Sequence, residues 1–220
     1  MSLVVGKEVI HTSGTWKENF TRLEQSDSGH VYDGIASGFG NTQFLYFPQN
    51  LPLKSCTSFE MVAKVKYVSN GAIQAIFTEN NVGYEGKMSF SASGTVRLTL
   101  DTNHADSYGI CNISGTTTLT DGEIYWVKAE WTGSAYNIYL STDGETWNLE
   151  GTKTTTTKPN YTMQWNIGSR NKSSYYVFPS EIYLKDCYIN INGERFWDYS
   201  KGVKFSGNWL YYEEDNHICR

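Results

Sequence analysis

The chain has 220 residues, a net charge of −5 and 19% charged residues against 15% aromatic ones, including 16 Tyr and 7 Trp. No Lys/Arg cluster interrupts this acidic balance, which excludes a surface built to track a phosphate backbone and with it nucleic-acid binding. No run of ~18 apolar residues occurs, so no segment reads as a membrane-inserting helix. A Tyr/Trp-rich, charge-poor composition suits β-strands and surfaces that meet sugars or protein partners.

Along the chain, the first ~25 residues show no clean alternation, and the apolar start before Lys7 and Glu8 is too short for a signal-peptide core. From Phe59 the period is two: Phe59, Met61, Ala63, Val65 and Tyr67 share one face. Asn70-Gly71 then reads as a hairpin turn, with Ile73, Ala75 and Phe77 returning. Met88 and Phe90 lead through Ser93-Gly94 to Val96, Leu98 and Leu100. The clearest pattern is EIYWVKAEWTGSAYNIYLSTDGETW, Glu123 to Trp147. Tyr125, Val127, Ala129 and Trp131 alternate with polar neighbours, Gly133-Ser134 turns the chain, and Tyr136, Ile138 and Leu140 resume. Asp143-Gly144 marks a second turn, in which Asp143 accepts backbone N–H groups and Gly144 takes positive φ.

Lys153 to Lys158 is a low-complexity tract read as exposed strand or loop, and Met163, Trp165 and Ile167 form a further strand. In SEIYLKDCYININ the apolar phase shifts by one between Leu184 and Cys187, which predicts a β-bulge near Lys185-Asp186. No 3.6-residue period and no internal repeat occurs. Ten or more short strands predict an all-β, two-sheet antiparallel sandwich, with Tyr136, Ile138, Leu140, Val96, Leu98, Ile189 and Ile191 facing inward.

Three polar, aromatic loops carry the candidate ligand groups: Asn80 to Gly86, Asp101 to Asn112, and Ser169 to Pro179. Tyr84, Tyr108, Tyr175 and Tyr176 offer rings to stack on a sugar face, with Asn103, His104, Arg170 and Asn171 to hydrogen-bond hydroxyls. Trp126, Trp131, Trp147 and Trp165 read as core or sheet-surface packing. Cys56, Cys111, Cys187 and Cys219 lack CxxC spacing and read as free thiols. Asp101, Asn103 and Asp106 offer oxygen ligands, but without the Gly and closing Glu of a calcium loop they read as a polar turn. Neither a metal nor another cofactor is predicted.

Four stretches resemble the concanavalin A-like lectin/glucanase superfamily, and within it the laminin-G-like modules of bacteriophage tail and other virion proteins. They are DGIASGFGNTQFLYFP at Asp33 to Pro48, SFEMVAKVKY at Ser58 to Tyr67, the Trp-x-Lys-x-Glu strand entering the STDG hairpin, and IYLKDCYININGERFW at Ile182 to Trp197. The resemblance implies a jelly-roll sandwich with its core over about 33–197, inside a single 1–220 domain whose arms or edge strands are 1–25 and 199–220. It also implies assembly in a bacterial cytoplasm into a virion.

Glucanases of the superfamily place three carboxylates on one face of one strand. This chain has no such motif; Glu181 and Asp186, and Glu213, Glu214 and Asp215, read as surface charge. The four histidines are scattered, and no nucleophile elbow occurs. The expectation is therefore a non-catalytic phage virion module, in a tail fibre, baseplate or capsid decoration, that binds host-surface carbohydrate. A purely structural assembly protein is the alternative, and a glycan-processing enzyme of the same fold a more distant one. The expected partners are a host-surface glycan, other virion proteins, and further copies of the chain in a homo-oligomer, with a trimer favoured by the resemblance.

Overall fold

The computed structural model describes residues 29–40 (backbone alone at 30), 43–80, 86–102, 109–169 and 176–206, with the backbone alone of 2–5, 8–11 and 209–212. In chain order the strands are β1 (Ser2–Val5), β2 (Glu8–His11), β3 (Gly29–Tyr32), β4 (Ile35–Ser37), β5 (Phe44–Tyr46), β6 (Phe59–Lys66) and β7 (Gln74–Glu79). There follow β8 (Lys87–Phe90), β9 (Val96–Leu100), β10 (Cys111–Ser114), β11 (Ile124–Trp131), β12 (Ala135–Ser141), β13 (Asn148–Thr154) and β14 (Trp165–Ile167). The last are β15 (Ile182–Tyr183), β16 (Tyr188–Ile191), β17 (Glu194–Asp198), β18 (Lys204–Ser206) and β19 (Trp209–Tyr212).

The alternating stretch 124–141 makes the centre of the larger sheet. Its order is β13-β12-β11-β6-β15-β4-β3-β19, with β16 also on β6 and β17 beyond β16. The second sheet has seven strands, β10-β9-β8-β7-β14-β5-β18, and β1 and β2 pair only with each other. Every pairing is antiparallel except that of β19 with β3. The expected two-sheet sandwich is therefore present. Tyr136, Ile138, Leu140, Val96, Leu98, Ile189 and Ile191 are all buried, as the alternation requires.

Aromatic rings join the two layers. Phe47 lies edge-on to Phe77 of the seven-stranded sheet at 5.3 Å and to Trp197 of the larger sheet at 4.6 Å. Trp131 stacks on Tyr136 at 6.0 Å within the larger sheet. Burying each such ring is worth about 1.5–3 kcal/mol, so this seam contributes heavily to holding the layers together. At the open edge a carboxylate does similar work. Glu150 on β13 accepts hydrogen bonds from Thr116 N (2.8 Å), Thr117 N (2.9 Å) and Thr117 Oγ1 (2.7 Å), just beyond β10 of the other sheet.

Two local expectations are corrected. Asn70-Gly71 is not a hairpin: β6 and β7 lie in different sheets, so the turn carries the chain across the sandwich. Gly71 has φ +69° and Asn70 Oδ1 accepts from Ala72 N, the turn chemistry expected, in another setting. The phase change after Leu184 is a single turn of 3-10 helix, Leu184–Asp186, rather than a bulge. Ile182 pairs with Val65 and Tyr188 with Val62, so β6 advances three residues while its partner advances six, and the turn takes up the excess.

The hairpins at Gly94, Gly133 and Gly144 form as the sequence indicates, each with its glycine at positive φ. The strand expected around Met163 to Ile167 runs from Trp165 to Ile167, with Met163 bridging to Leu51. Near the C-terminus, β18 and β19 add edge strands to this chain's own two sheets.

Candidate functional site

Antiparallel register sets residues side by side across the outer face of the seven-stranded sheet. Thr99 on β9 pairs with Lys87 on β8, Lys87 with Thr78 on β7, Thr78 with Asn166 on β14, and Asn166 with Tyr46 on β5. Leu98, Met88, Phe77, Ile167 and Leu45 alternate with them and fill the core. At 4.7–4.9 Å per strand this row runs about 19 Å. Ser89, opposite Arg97 and Ala75, begins a second row.

Such a face is ordinarily either solvated or, when covered, apolar. This one is polar and covered. Lys87 is only 2% exposed, and Thr78, Ser89, Thr99 and Asn166 are at most 1% exposed. Polar groups taken out of water cost free energy unless hydrogen-bonded. Thr78 Oγ1 donates to Gly86 O at 3.2 Å and Asn166 Nδ2 to Asn80 Oδ1 at 3.2 Å. Ser89 Oγ and Asn166 Oδ1 have no hydrogen-bond partner among the described residues. Tyr46, half-buried at the end of the row, adds an aromatic ring beside Asn166.

The described ends of the loops singled out in the sequence lie at this face. Asn80 and Gly86, the two ends of the first loop, are both bonded to the row through Asn166 and Thr78. The second loop leaves β9 and enters β10 at the same end of the sheet, since Lys87 at the start of β8 pairs with Thr99. From the third, the Tyr176 ring lies 4.8 Å from Lys87 Nζ, a cation–π contact that brings this segment over the row. Tyr176 thus lies beside Lys87. Tyr84, Asn103, His104, Tyr108, Arg170, Asn171 and Tyr175 lie outside the described residues.

The sequence reading missed Tyr46, Thr78, Lys87, Ser89, Thr99 and Asn166. Alternation marks them as outward-facing, but only pairing across five strands separated in sequence reveals that they form a row.

Beside the row the sandwich end is closed by Glu79 and Asp101, both fully buried, and Tyr161. Tyr161 donates to Glu79 Oε1. Burial, the Glu79 charge and that hydrogen bond, and then the Asp101 charge, push the Tyr161 hydroxyl far above the ordinary tyrosine range. Among the described residues no group of three or more His, Cys, Asp or Glu could hold a metal ion. Glu181 and Asp186 form ion pairs with Lys66 at 3.8 Å and Lys64 at 3.1 Å on the partly exposed surface of the larger sheet.

No protein-family model matches the chain, and no curated protein matches it in sequence. Solved structures do match in fold. A native heptameric SAP-like pentraxin from Limulus polyphemus aligns with a TM-score of 0.52 at 17% identity, over 77% of this chain and 80% of the pentraxin. A putative carbohydrate-binding protein from Bacteroides ovatus aligns at 0.50 and 16% identity, over 85% of this chain and 53% of that one. The LG1-3 region of the laminin alpha2 chain aligns at 0.50 and 12% identity, over 82% of this chain and 36% of that region. These likenesses establish a jelly-roll β-sandwich fold.

Proposed function

We propose that this chain is a non-catalytic carbohydrate-binding module whose ligand is met where the half-buried rings of Tyr46 and Tyr176 flank the buried polar row Thr99–Lys87–Thr78–Asn166. One observation carries the reading: a buried sheet face built of hydroxyl, amide and ammonium groups and flanked by the half-buried aromatic rings of Tyr46 and Tyr176. A saccharide supplies an apolar ring face for Tyr46 and Tyr176. The similarity to a protein named as a putative carbohydrate-binding one is of fold and is compatible with this reading.

The finer form of the proposal is a module of a phage particle, bound to a glycan of the host surface. It rests on the sequence resemblance set out above. Self-association, a trimer being the form that resemblance favours, belongs to the same proposal. The C-terminal strands β18 and β19 do not argue for it, because they are engaged in this chain's own sheets.

A glycan array with the purified protein tests the binding reading. Retention of one class of oligosaccharide, lost in Asn166→Ala and Tyr46→Ala while the fold persists, is the expected result. Absence of any retained glycan on arrays that include bacterial surface polysaccharides would count against it. Mass spectrometry of purified phage particles and sedimentation of the protein test the virion role and the subunit number.

A further inference from the structure

The larger sheet carries a second feature on its own outer face. Along β6 the outward residues are Glu60, Val62, Lys64 and Lys66, a single apolar side chain among charges, and Val62 is nonetheless buried. It forms part of the floor of a cleft of about 260 Å³. Trp126 of β11 and Trp147 of the STDG hairpin form one wall, and Tyr188 and Arg195 of β16 and β17 another. Register explains the assembly. Lys128 and Tyr188 are the cross-strand partners of Val62, and Trp126 is the partner of the next outward residue, Lys64.

The aromatic walls are fixed in place before any ligand arrives. Lys64 Nζ lies 4.6 Å over the Trp126 ring, Lys128 Nζ lies 4.7 Å over Trp147, and the Arg195 guanidinium carbon lies 3.7 Å over Tyr188. Each ring thus has a cation over it, a contact that favours its observed orientation. Gly144, at φ +80°, lets the hairpin backbone approach Trp126 so closely that an added Cβ would stand 3.0 Å from the indole.

The charges at the cleft cancel. Its lining has two cations, Lys185 and Arg195, and two carboxylates, Asp186 and Asp198. Lys185 is paired with Asp33 at 2.5 Å and Asp186 with Lys64 at 3.1 Å, while Asp198 accepts from Ser200 N at 3.0 Å. A charged ligand gains little from lining charges that are already paired or balanced, and loses hydration on entering. A neutral ligand with one apolar face and a ring of hydroxyls meets both components: indole and phenol walls for the face, carboxylate and guanidinium groups for the hydroxyls. The volume is below the ~300–1,000 Å³ typical of drug-sized ligands and fits a single ring.

We propose that this cleft is a second binding site, on the sheet opposite the polar row, for a neutral pyranose. It does not rest on the first site. One protein would then carry two saccharide sites on opposite faces of the sandwich and so bridge two glycan chains, gaining avidity without new contacts.

The test is a titration of ¹⁵N-labelled protein with the methyl glycosides of glucose, galactose and mannose, alongside glucuronate and glucosamine. The indole N–H signals of Trp126 and Trp147 report the cleft. At least one neutral glycoside is expected to shift both signals saturably. Trp147→Ala should weaken binding by about tenfold or more, read at Trp126, and Val62→Phe, which fills the floor, should abolish it while the remaining spectrum stays native. Saturable shifts with the charged sugars alone would overturn the proposal. So would silence at both indoles with every neutral glycoside, or wild-type binding by both variants.

Discussion

Glu60 and Glu130 stand directly opposite each other on β6 and β11, two carboxylates in one cross-strand pair on the outer face of the larger sheet. Like charges so placed destabilise a sheet by some tenths of a kcal/mol. Flanking strands temper this: Glu130 accepts from Asn137 Nδ2 at 2.9 Å and Tyr139 OH at 2.7 Å, and Glu60 accepts from Asn190 Nδ2 at 2.9 Å. Burial, then the hydrogen bond to Glu130 and its charge, push the Tyr139 hydroxyl up to about 12. In Glu130→Gln the burial remains and the charge goes. Phenolate absorbance is expected to show Tyr139 titrating lower than in the wild type, still above 10. In Glu60→Gln the repulsion goes while Glu130 keeps its donors, and stability is expected to rise by up to about 1 kcal/mol. A loss of stability in Glu60→Gln would mean that the bond to Asn190 outweighs the repulsion.

Glu150 ties the two sheets together at their open edge, and its removal should be felt across the whole sandwich. Glu150→Ala strips an ionised acceptor from two backbone N–H groups and a hydroxyl and is expected to cost about 2 kcal/mol, seen as a lower urea midpoint with unchanged slope. Burial works against the Glu150 carboxylate, but hydrogen bonds from Thr117 and Thr116 outweigh it and hold the group below the usual 4.5. Its contribution is therefore complete above 4.5 and disappears as the pH falls through the lower folded value. Asp143 behaves alike: backbone N–H groups of Thr146 and Glu145 depress it below 3.8. Wild-type stability should fall on acidification below about 4.5, and Glu150→Ala should show a shallower fall.

The alkaline side has the opposite sign. Burial raises the Cys111 and Cys187 thiols from 9.0 to about 12, and burial with hydrogen bonds to Glu130 and Glu181 raises Tyr139 and Tyr183 from 10.0 to about 12. Each group is neutral in the folded protein where the unfolded chain would ionise. Their stabilising effect is whole below 9 and is lost as the pH climbs from 9 through 12. Thermal unfolding should show the melting temperature dropping over that window. At neutral pH Cys56, Cys111 and Cys187, all free and buried, should react with a thiol reagent only in denaturant; rapid native labelling of any of them would contradict the packing.

The strands were legible because burial on one face writes itself as alternation. Tyr125 to Trp131 and Tyr136 to Leu140 needed nothing else, and Gly133 and Gly144 fixed the turns between them. Asn70-Gly71 shows the limit. Its turn chemistry is the same whether the next strand pairs back or crosses to the other layer, and only the packing of β7 against β8 and β14 decides. The 3-10 turn at Leu184–Asp186 shifts the apolar phase as a bulge would, so phase alone does not distinguish them. At the candidate site, the loops drew notice for their aromatic and amide content. Lys87 and Thr99 are not singled out, because nothing local tells that Tyr176 lies above Lys87. Trp126 and Trp147 read as packing; their half-burial beside Val62 exists only once β6, β11 and β16 are side by side.

Gly86 gives a final test, at the end of the polar row. A Cβ built there would stand 1.9 Å from Glu79 Oε1 and 2.3 Å from its carboxyl carbon. Glu79 has little room to yield, since it is fully buried, accepts from Tyr161 OH, and donates its backbone N–H to Gly86 O at 2.9 Å. Gly86→Ala must therefore displace a buried carboxylate from its partner or pull the strand ends apart, and is expected to cost about 3 kcal/mol. Gly71→Ala is the matched comparison: φ is +69° there and nothing lies within 4 Å of the added carbon, so only the backbone penalty of about 1 kcal/mol applies. Because Gly86 O also accepts from Thr78, the first variant should disturb the row as well. Urea unfolding of the two variants side by side measures the difference. Equal costs would show that the Glu79 side chain relocates freely and that this end of the site is softer than its burial implies.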